Sequence, residues 1–529
     1  MNKRAPIFNQ AGLFYLMGVL GVVFMWPACT KKYDQINTPR NTIATIGQSQ
    51  LPFLYAQAQA IAIPWSGNYQ GAQNQYADQY AQYFAVTATY FPSDRLVIVP
   101  YDLNTLFDPM YSVFVPQLQT IFAETDPGSA EYALADILWV VGFHRLTDYF
   151  GPVPYSQAGL PAKSVPYDAQ DKIYDDFFKR LTTAVAVLNN KQAETPFGSF
   201  DAVYSGNVPM WIKFANSLRL RLALRISKVD PVRAKAEAEA AVAAGVLAVS
   251  PDDDAYVHRS GTGSDVNGLS LMSDWNEFRM SASMESVLKG YDDPRMPVYF
   301  LPADETGTYE GMRNGLTPAQ LTDDLNKNEA NSHVGARWSS TSFGGVTTYL
   351  STPQILMCSA ESYFLRAEGA LLNWNMGGTA KELYEQGITN SMIQYGITDQ
   401  AAIDNYLNTT SLPIAPQDYL NSPPVTDVPV KFDAGDAGVQ LKQIILQKWL
   451  SLFPDGAEAW ADYRRSRAIP FYPVANSDNP DLDDPSVQWI RRATYLVSER
   501  LNNTAAVENA EALLGGPDKI TTPLWWDKN

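Results

Sequence analysis

Apolar positions along most of this chain recur at helical rather than strand spacing. The clearest run lies in Asp201–Ser227, where they fall at Trp211, Phe214, Ala215, Leu218, Leu222 and Ile226. Offsets of 3, 4, 7, 11 and 15 lay one buried stripe along a helix, with Lys213, Arg219, Arg221 and Arg225 on its other faces. A Gly-Asn turn and Pro209 mark its start. The same period predicts helices over Ile43–Ala60, Tyr69–Phe84, Phe107–Glu124, Ser129–Tyr149, Lys172–Leu188, Pro231–Ala244, Pro353–Asn373, Thr379–Tyr395, Val439–Phe453 and Ala457–Arg467. Small residues beside Tyr and Leu, as at Gly387, Ile388 and Ser391, look like tetratricopeptide helix pairs, although no strict period of about 34 residues survives. Ala248–Arg279 and Leu301–Leu350, rich in Gly, Ser, Thr, Asp and Asn, interrupt the pattern as long loops with room for short strand pairs. The expected fold is mainly α, with tetratricopeptide-like helix pairs forming one scaffold with long, partly irregular loop insertions.

The N-terminus departs from this pattern. Lys3 and Arg4 precede the apolar run Ala11–Met25, and Trp26-Pro27-Ala28-Cys29 follows. About fifteen apolar residues are short for a membrane span and right for a signal peptide. The small residue before Cys29 looks like a lipoprotein processing site, although Trp26 stands where an aliphatic residue is usual. The expected organisation is a signal peptide over 1–28, a lipidated tether over 29–42 and one helical repeat domain over 43–529. Acylation of Cys29 would supply the two or more chains that stable anchoring needs. It would also leave Cys358 without a disulfide partner, so Cys358 is expected to pack as a small hydrophobe in the apolar helix ILMCSAESYFLRAE. The net charge is −17, and loss of Lys3 and Arg4 with the leader makes the mature chain more acidic still. No basic patch interrupts that field, which excludes nucleic acid as a partner.

Ordered blocks of this sequence resemble the SusD/RagB family of nutrient-binding outer-membrane lipoproteins. They are HRLTDYFGPVPYSQA (His144–Ala158), IYDDFFKRLTTAVAVL (Ile173–Leu188), the Trp-x-Lys-Phe-Ala-Asn-Ser-Leu-Arg-Leu-Arg helix at Trp211, and SASMESVLKGYDDPRMPVYF (Ser281–Phe300). YEGMRNG (Tyr309–Gly315), AESYFLRAEGALLNW (Ala360–Trp374), IILQKWLSLFPDGAEAWADYRRS (Ile444–Ser466), WIRRATYLVSERLNN (Trp489–Asn503) and PLWWD (Pro523–Asp527) follow in order. Thr30-Lys31-Lys32 departs from the acidic run that often follows the lipidated cysteine. The resemblance implies a scaffold of about four tetratricopeptide-like helix pairs. It further implies a lipid-anchored protein on the outer membrane, facing the cell exterior. Such a protein caps a SusC-like TonB-dependent barrel transporter and delivers captured nutrient to it, usually oligosaccharide.

Sugar binding needs flat aromatic faces and planar polar groups. The candidate ligand-binding residues are Trp65, Tyr69, Tyr90, Phe91, Asp94, Arg95 and Tyr101 in one early stretch, with Trp275, Arg337 and Trp338 in the long loops. Tyr76, Tyr80, Tyr83 and Phe84 have the spacing of a packed stripe instead. The arginines of the Trp211 helix, and Arg464 and Arg465, are expected to pair with carboxylates on neighbouring helices. Catalytic motifs are missing. Ser286-Val287-Leu288-Lys289 and Ser477-Asp478-Asn479 have no Lys-Thr-Gly to complete them, and His144, His258 and His333 are scattered. Asp252-Asp253-Asp254 and Asp481-Leu482-Asp483-Asp484 read as solvated turns. No enzyme activity, cofactor or metal is expected. A surface glycosidase and a protein-interaction scaffold without small-solute binding are the alternatives. Neither the ligand, be it glycan, peptide or another nutrient, nor the stoichiometry with a transporter follows from the residues.

Overall fold

The computed structural model describes residues 47–162, 164–340, 347–482 and 490–529. The expectations for the leader, Cys29 and the tether lie outside the described residues, as do Asp483 and Asp484. Helices dominate what is described. In the first half they are α1 (Leu51–Ile61), α2 (Val115–Glu124), α3 (Ala130–Phe150), α4 (Gln170–Leu188), α5 (Val208–Arg225), α6 (Pro231–Ala244), α7 (Gly268–Ser273) and α8 (Ala282–Gly290). In the second half they are α9 (Ser359–Leu371), α10 (Ala380–Gln394), α11 (Gln400–Asn408), α12 (Ala437–Leu452), α13 (Gly456–Ser466), α14 (Val497–Asn502) and α15 (Thr504–Leu514). Residues Gln50–Asn529 pack as one unit. Within it α3 lies on α4, α4 on α5, α5 on α6 and α9, α9 on α10 and α12, and α12 on α13.

Local chemistry sets the helix ends. Ser129 Oγ accepts from Tyr132 N–H at 3.1 Å to start α3, and Asn207 Oδ1 accepts from Met210 N–H at 3.3 Å to start α5. Thr379 and Glu382 close a reciprocal capping box on α10. Each such cap contributes about 1 kcal/mol. Gly151, at φ 84°, ends α3 in a conformation that a side chain would resist. Gly387 sets the approach of α9 and α10, because a Cβ there would lie 2.7 Å from the Phe364 ring.

Several expected helices are shorter than their periodicity suggested: within Ile43–Ala60 the α-helix starts at Leu51, and within Phe107–Glu124 a wide turn at Met110–Phe114 precedes α2. Tyr69–Phe84 contains a wide turn at Gln70–Asn74, a single helical turn at Ala77–Tyr80 and the start of strand β1 (Phe84–Val86). Pro353–Asn373 opens as a strand, so Cys358 lies at the N-cap of α9 rather than inside a helix. It is buried, and burial pushes its thiol well up. The other strands are β2 (Val153–Pro154), β3 (Tyr167–Asp168), β4 (Ala255–Val257), β5 (Phe278–Met280) and β6 (Gln354–Met357). They form antiparallel pairs β1–β5, β2–β3 and β4–β6. Ala248–Arg279 therefore holds strand β4, the short helix α7 and the first two residues of β5, while Leu301–Leu350 is irregular chain punctuated by single 3₁₀ turns.

The single-stripe reading of α5 is too narrow. Its arginines are not on a wet face: Arg221 and Arg225 are almost fully buried. Arg221 donates to both oxygens of Glu361 on α9 at 2.7 and 2.6 Å, and Arg225 reaches Glu458 on α13 at 2.6 Å and Asp148 on α3 at 3.3 Å. Arg219 pairs with Glu237 of α6 at 2.5 Å, and Lys213 with Asp253 at 2.8 Å. Arg465 holds Glu368 at 2.6 Å and Asp462 at 2.7 Å. Arg464 departs from expectation. It donates to the carbonyls of Asp148 and Arg491 at 2.8 Å and lies 3.5 Å over the Trp460 ring, and burial pulls its guanidinium down to about 9.

Removing one member of a buried pair strands its partner's charge, at about 3–5 kcal/mol, whereas removing both is close to neutral. Arg221→Met should therefore cost about 3–5 kcal/mol through the stranded Glu361, and Arg221→Met with Glu361→Met should recover most of that loss. Urea denaturation followed by tryptophan fluorescence reads both; equal loss in the single and double variants would rule the account out.

Candidate functional site

Pairing of β1 with β5 brings the loop after Val86 against the loop before Phe278. Thr87 N–H donates to Glu277 O at 2.9 Å, and Thr87 Oγ1 donates to Asn276 O at 3.1 Å. Tyr90 is 67% exposed on this seam and Phe91 meets it edge-on, with ring centroids 4.6 Å apart. The Tyr90 hydroxyl donates to Glu277 Oε1 at 2.6 Å, and that hydrogen bond pushes its pKa up to about 12. Gln70 Nε2 donates to the other Glu277 oxygen. Trp275, two residues before Glu277, is 45% exposed. Asn276 takes φ 57°, held by Arg279 donating to its Oδ1 at 2.8 Å and Asn328 donating to its carbonyl at 3.0 Å.

The Tyr101 loop joins the same neighbourhood from the side. Tyr76 donates to Asp102 at 2.9 Å, and a Cβ on Gly71 would come 2.9 Å from Asp102 O, so only a glycine lets this loop lie beside Gln70. Tyr101 itself is 77% exposed. Trp65 is half-buried, one residue before Ser66, whose N–H donates to Val266 O at 3.1 Å. Exposed aromatic faces and a carboxylate with a carboxamide thus share one loop cluster, the combination that stacks on a pyranose and hydrogen-bonds its hydroxyls.

Four of the sequence-proposed residues are structural in this geometry. Tyr69 is buried, donates to Asp78 Oδ2 at 2.7 Å and packs so tightly on Gly268 that a Cβ there would overlap its ring. Asp94 is buried and accepts from Val86 N–H at 3.1 Å, with burial raising its pKa to about 6. Arg95 is buried against Asp478 at 2.6 Å and the carbonyls of Phe91 and Leu316 at 3.3 Å. Trp338 is 3% exposed and set edge-on to Phe453 at 5.6 Å. None of these four offers a free face to a solute at the surface. Arg337 stays half-buried over the Tyr395 ring at 5.5 Å. Glu277 was missed, and the signal was available: a Trp-Asn-Glu run inside a long loop.

Tyr76, Tyr83 and Phe84 are buried, as a packed set. Asp253 and Asp254 are buried rather than solvated: Asp253 accepts from Ala248 N–H at 2.9 Å within its own loop, and Asp254 accepts from Ser359 N–H at 2.7 Å at the start of α9. Among the described residues no group of three or more His, Cys, Asp or Glu is placed to hold a metal ion. His144 is buried beside Arg221, and burial with that cation holds its pKa well below the usual range.

Residues 37–527 match the family model described as SusD-like, the Susd and RagB outer membrane lipoproteins. Solved structures agree. A chitin-binding SusD homologue from Flavobacterium johnsoniae is 35% identical, with a TM-score of 0.82 over 91% of this chain and 99% of its own. A SusD-like protein from Bacteroides thetaiotaomicron is 30% identical, with a TM-score of 0.81 over 90% and 99%. A SusD homologue from Bacteroides ovatus is 30% identical, with a TM-score of 0.80 over 92% and 100%. Among curated proteins none matches the chain.

Beneath the loop cluster, Asp78 accepts from Tyr69 and from Gln73, the latter at 3.0 Å, with no ion-pair partner among the described residues, and burial raises its pKa to about 7. Its folded pKa lies above its unfolded value of about 3.9, so the native state holds the extra proton between those values. This group's contribution to stability is most favourable below about pH 4 and declines as pH rises towards 7. Asp78→Asn should therefore gain on the wild type between about pH 4.5 and about pH 8. Thermal midpoints at the two pH values measure it; a constant offset would exclude this role for Asp78.

Proposed function

Because the chain belongs to the SusD-like family of outer-membrane lipoproteins, we propose that it is a cell-surface glycan-binding protein. It is anchored through acylated Cys29 and captures an oligosaccharide on the Tyr90, Phe91, Trp275 and Glu277 cluster, with Gln70 as a further hydrogen-bonding group and Tyr101 and Trp65 at its margins. The observation that carries this reading is the exposure of Tyr90 and of Trp275, the one bonded to Glu277 and the other two residues before it, with Glu277 already oriented by two donors. Rings held by backbone pairing at the base of their loops lose little freedom on binding. Binding here involves no bond cleavage: stacking and hydrogen bonds hold the sugar, and fast release lets it pass to a SusC-like TonB-dependent barrel transporter. Chitin binding by the Flavobacterium johnsoniae relative makes N-acetylglucosamine oligomers the first ligands to try.

Titration calorimetry of the detergent-solubilised full chain with chitin oligomers should give saturable heat. Trp275→Ala should weaken it by about tenfold or more, the 1.4 kcal/mol scale of a lost central aromatic contact. Tyr101→Ala, at the margin, should cost less. Shortened oligomers recovered after incubation would instead point to a glycosidase. Silence across glycans and peptides, with a barrel transporter still captured, would point to a scaffold.

A further inference from the structure

Away from the exposed aromatics, a cavity of about 40 Å³ opens between the helices and the loops, with Tyr69, Trp338 and Tyr395 among its walls. That is space for a few waters, each needing about 10–15 Å³, or for one carboxylate group. Most polar side chains on the wall are already engaged: Gln354 lies between Arg259 Nε at 2.6 Å and Pro64 O at 2.8 Å, and Asn267 donates to Thr352 O at 2.9 Å. Gln394, the last residue of α10, is different. It is 6% exposed, and neither its Nε2 nor its Oε1 has a hydrogen-bond partner among the described residues. Buried polar atoms are almost always bonded, so such a pair calls for something in the cavity.

Arg337 lines the same space, flanked by the rings of Tyr395 at 5.5 Å and Trp338 at 6.0 Å, with no ion pair or side-chain hydrogen bond among the described residues. Arg145 places both Nη atoms on Asp455, at 2.9 and 2.6 Å, while its buried Nε has no partner. Donors therefore dominate the free groups of this cavity. The Arg145 and Asp455 charges cancel, leaving the single positive charge of Arg337. One excess charge, a planar guanidinium fork and a carboxamide fit a planar monoanion better than a doubly charged phosphate.

We propose that this cavity is a binding site for a carboxylate group, taken by the Arg337 guanidinium and the Gln394 amide. The group is carried either by a sugar acid or by the C-terminus of a peptide. The proposal stands whether or not the exposed aromatics bind glycan, since none of Tyr90, Phe91, Tyr101 or Trp275 lines the cavity.

The test is calorimetry on the detergent-solubilised full chain with D-galacturonate against D-galactose, and N-acetyl-dialanine against its C-terminal amide. One of the two carboxylates should bind about tenfold or more tightly than its neutral counterpart, and which one does so identifies the source. Arg337→Gln should weaken that binding about tenfold or more while moving the thermal midpoint little, because the guanidinium loses only its contacts with the Tyr395 and Trp338 rings and no ion pair or side-chain hydrogen bond. Gln394→Met, similar in volume, should weaken it several-fold and provides a second variant should the first misfold. No binding by either acid, equal binding of the neutral analogues, or wild-type affinity in both variants would overturn the proposal and leave the cavity to water.

Discussion

Helices α3, α5, α9, α12 and α13 meet around guanidinium, ammonium and carboxylate groups that water does not reach. Asp455 takes Arg145, Glu361 takes Arg221, Glu458 takes Arg225, and Asp462 is shared by Lys448 at 2.8 Å and Arg465 at 2.7 Å. Burial alone would push the Asp462 carboxyl up, but Lys448 and Arg465 pull harder and hold it ionised, below the usual range. Desolvating these ions cancels much of their attraction, so the net gain in stability is small. What the arrangement does enforce is pairing. A helix that slid or docked on the wrong neighbour would bury an unmatched charge, and that error is far more costly than the correct contact is favourable. Helix order in this scaffold is specified by charge matching as much as by packed apolar area.

The end of the chain is fixed to the same network. Trp526 donates to Asp148 Oδ1 at 2.9 Å, Asn529 donates to the carbonyls of Arg464 at 2.6 Å and Arg465 at 2.9 Å, and Arg464 lies between the Trp460 and Trp526 rings. The loops take their positions from short strand pairs set on this frame. Only three residues of β1 meet three of β5, yet that register determines which side chains stand at the seam. A slip of one residue would turn each strand's side chains to the opposite face. A scaffold that tolerates little sliding is thus the condition for an exposed aromatic cluster with a fixed geometry.

Long helices were legible because their period survives over three or more turns and their caps stand in the sequence: Ser129, Asn207 and Thr379 each accept from the backbone at the predicted boundary. Periodicity failed where both faces of a short segment are buried. Gln354–Met357 is apolar enough to extend the α9 pattern, and only its pairing with Ala255–Val257, about a hundred residues away, makes it a strand. The same limit applied to the candidate site. Trp275 and Trp338 sit in similar loops, but Trp338 is buried edge-on to Phe453 at 5.6 Å, with Ser273 Oγ donating to its carbonyl at 2.6 Å, while Trp275 stays exposed. Likewise the arginines of α5 were legible as partners of carboxylates, but a partner 140 residues distant, as Glu361 is from Arg221, cannot be picked out in any window of sequence.

Gln394 shows where this fold does not maximise its own stability. Leu or Met at that position would serve α10 about as well in helix propensity and would leave no polar atom unpaired. A buried amide with unmade hydrogen bonds costs about 1–3 kcal/mol for each orphaned group. Elsewhere in the same core, Gln443, Gln447 and Gln59 are equally buried and are bonded through their carboxamides, and Gln75 and Gln79 each leave only the amide oxygen open, whereas at Gln394 both polar atoms are open. At Gln394 and Arg337 the groups are instead left open to one shared space. A local conflict that leaves both atoms of one amide open beside an arginine with no ion pair is the pattern expected of positions held by function rather than by folding.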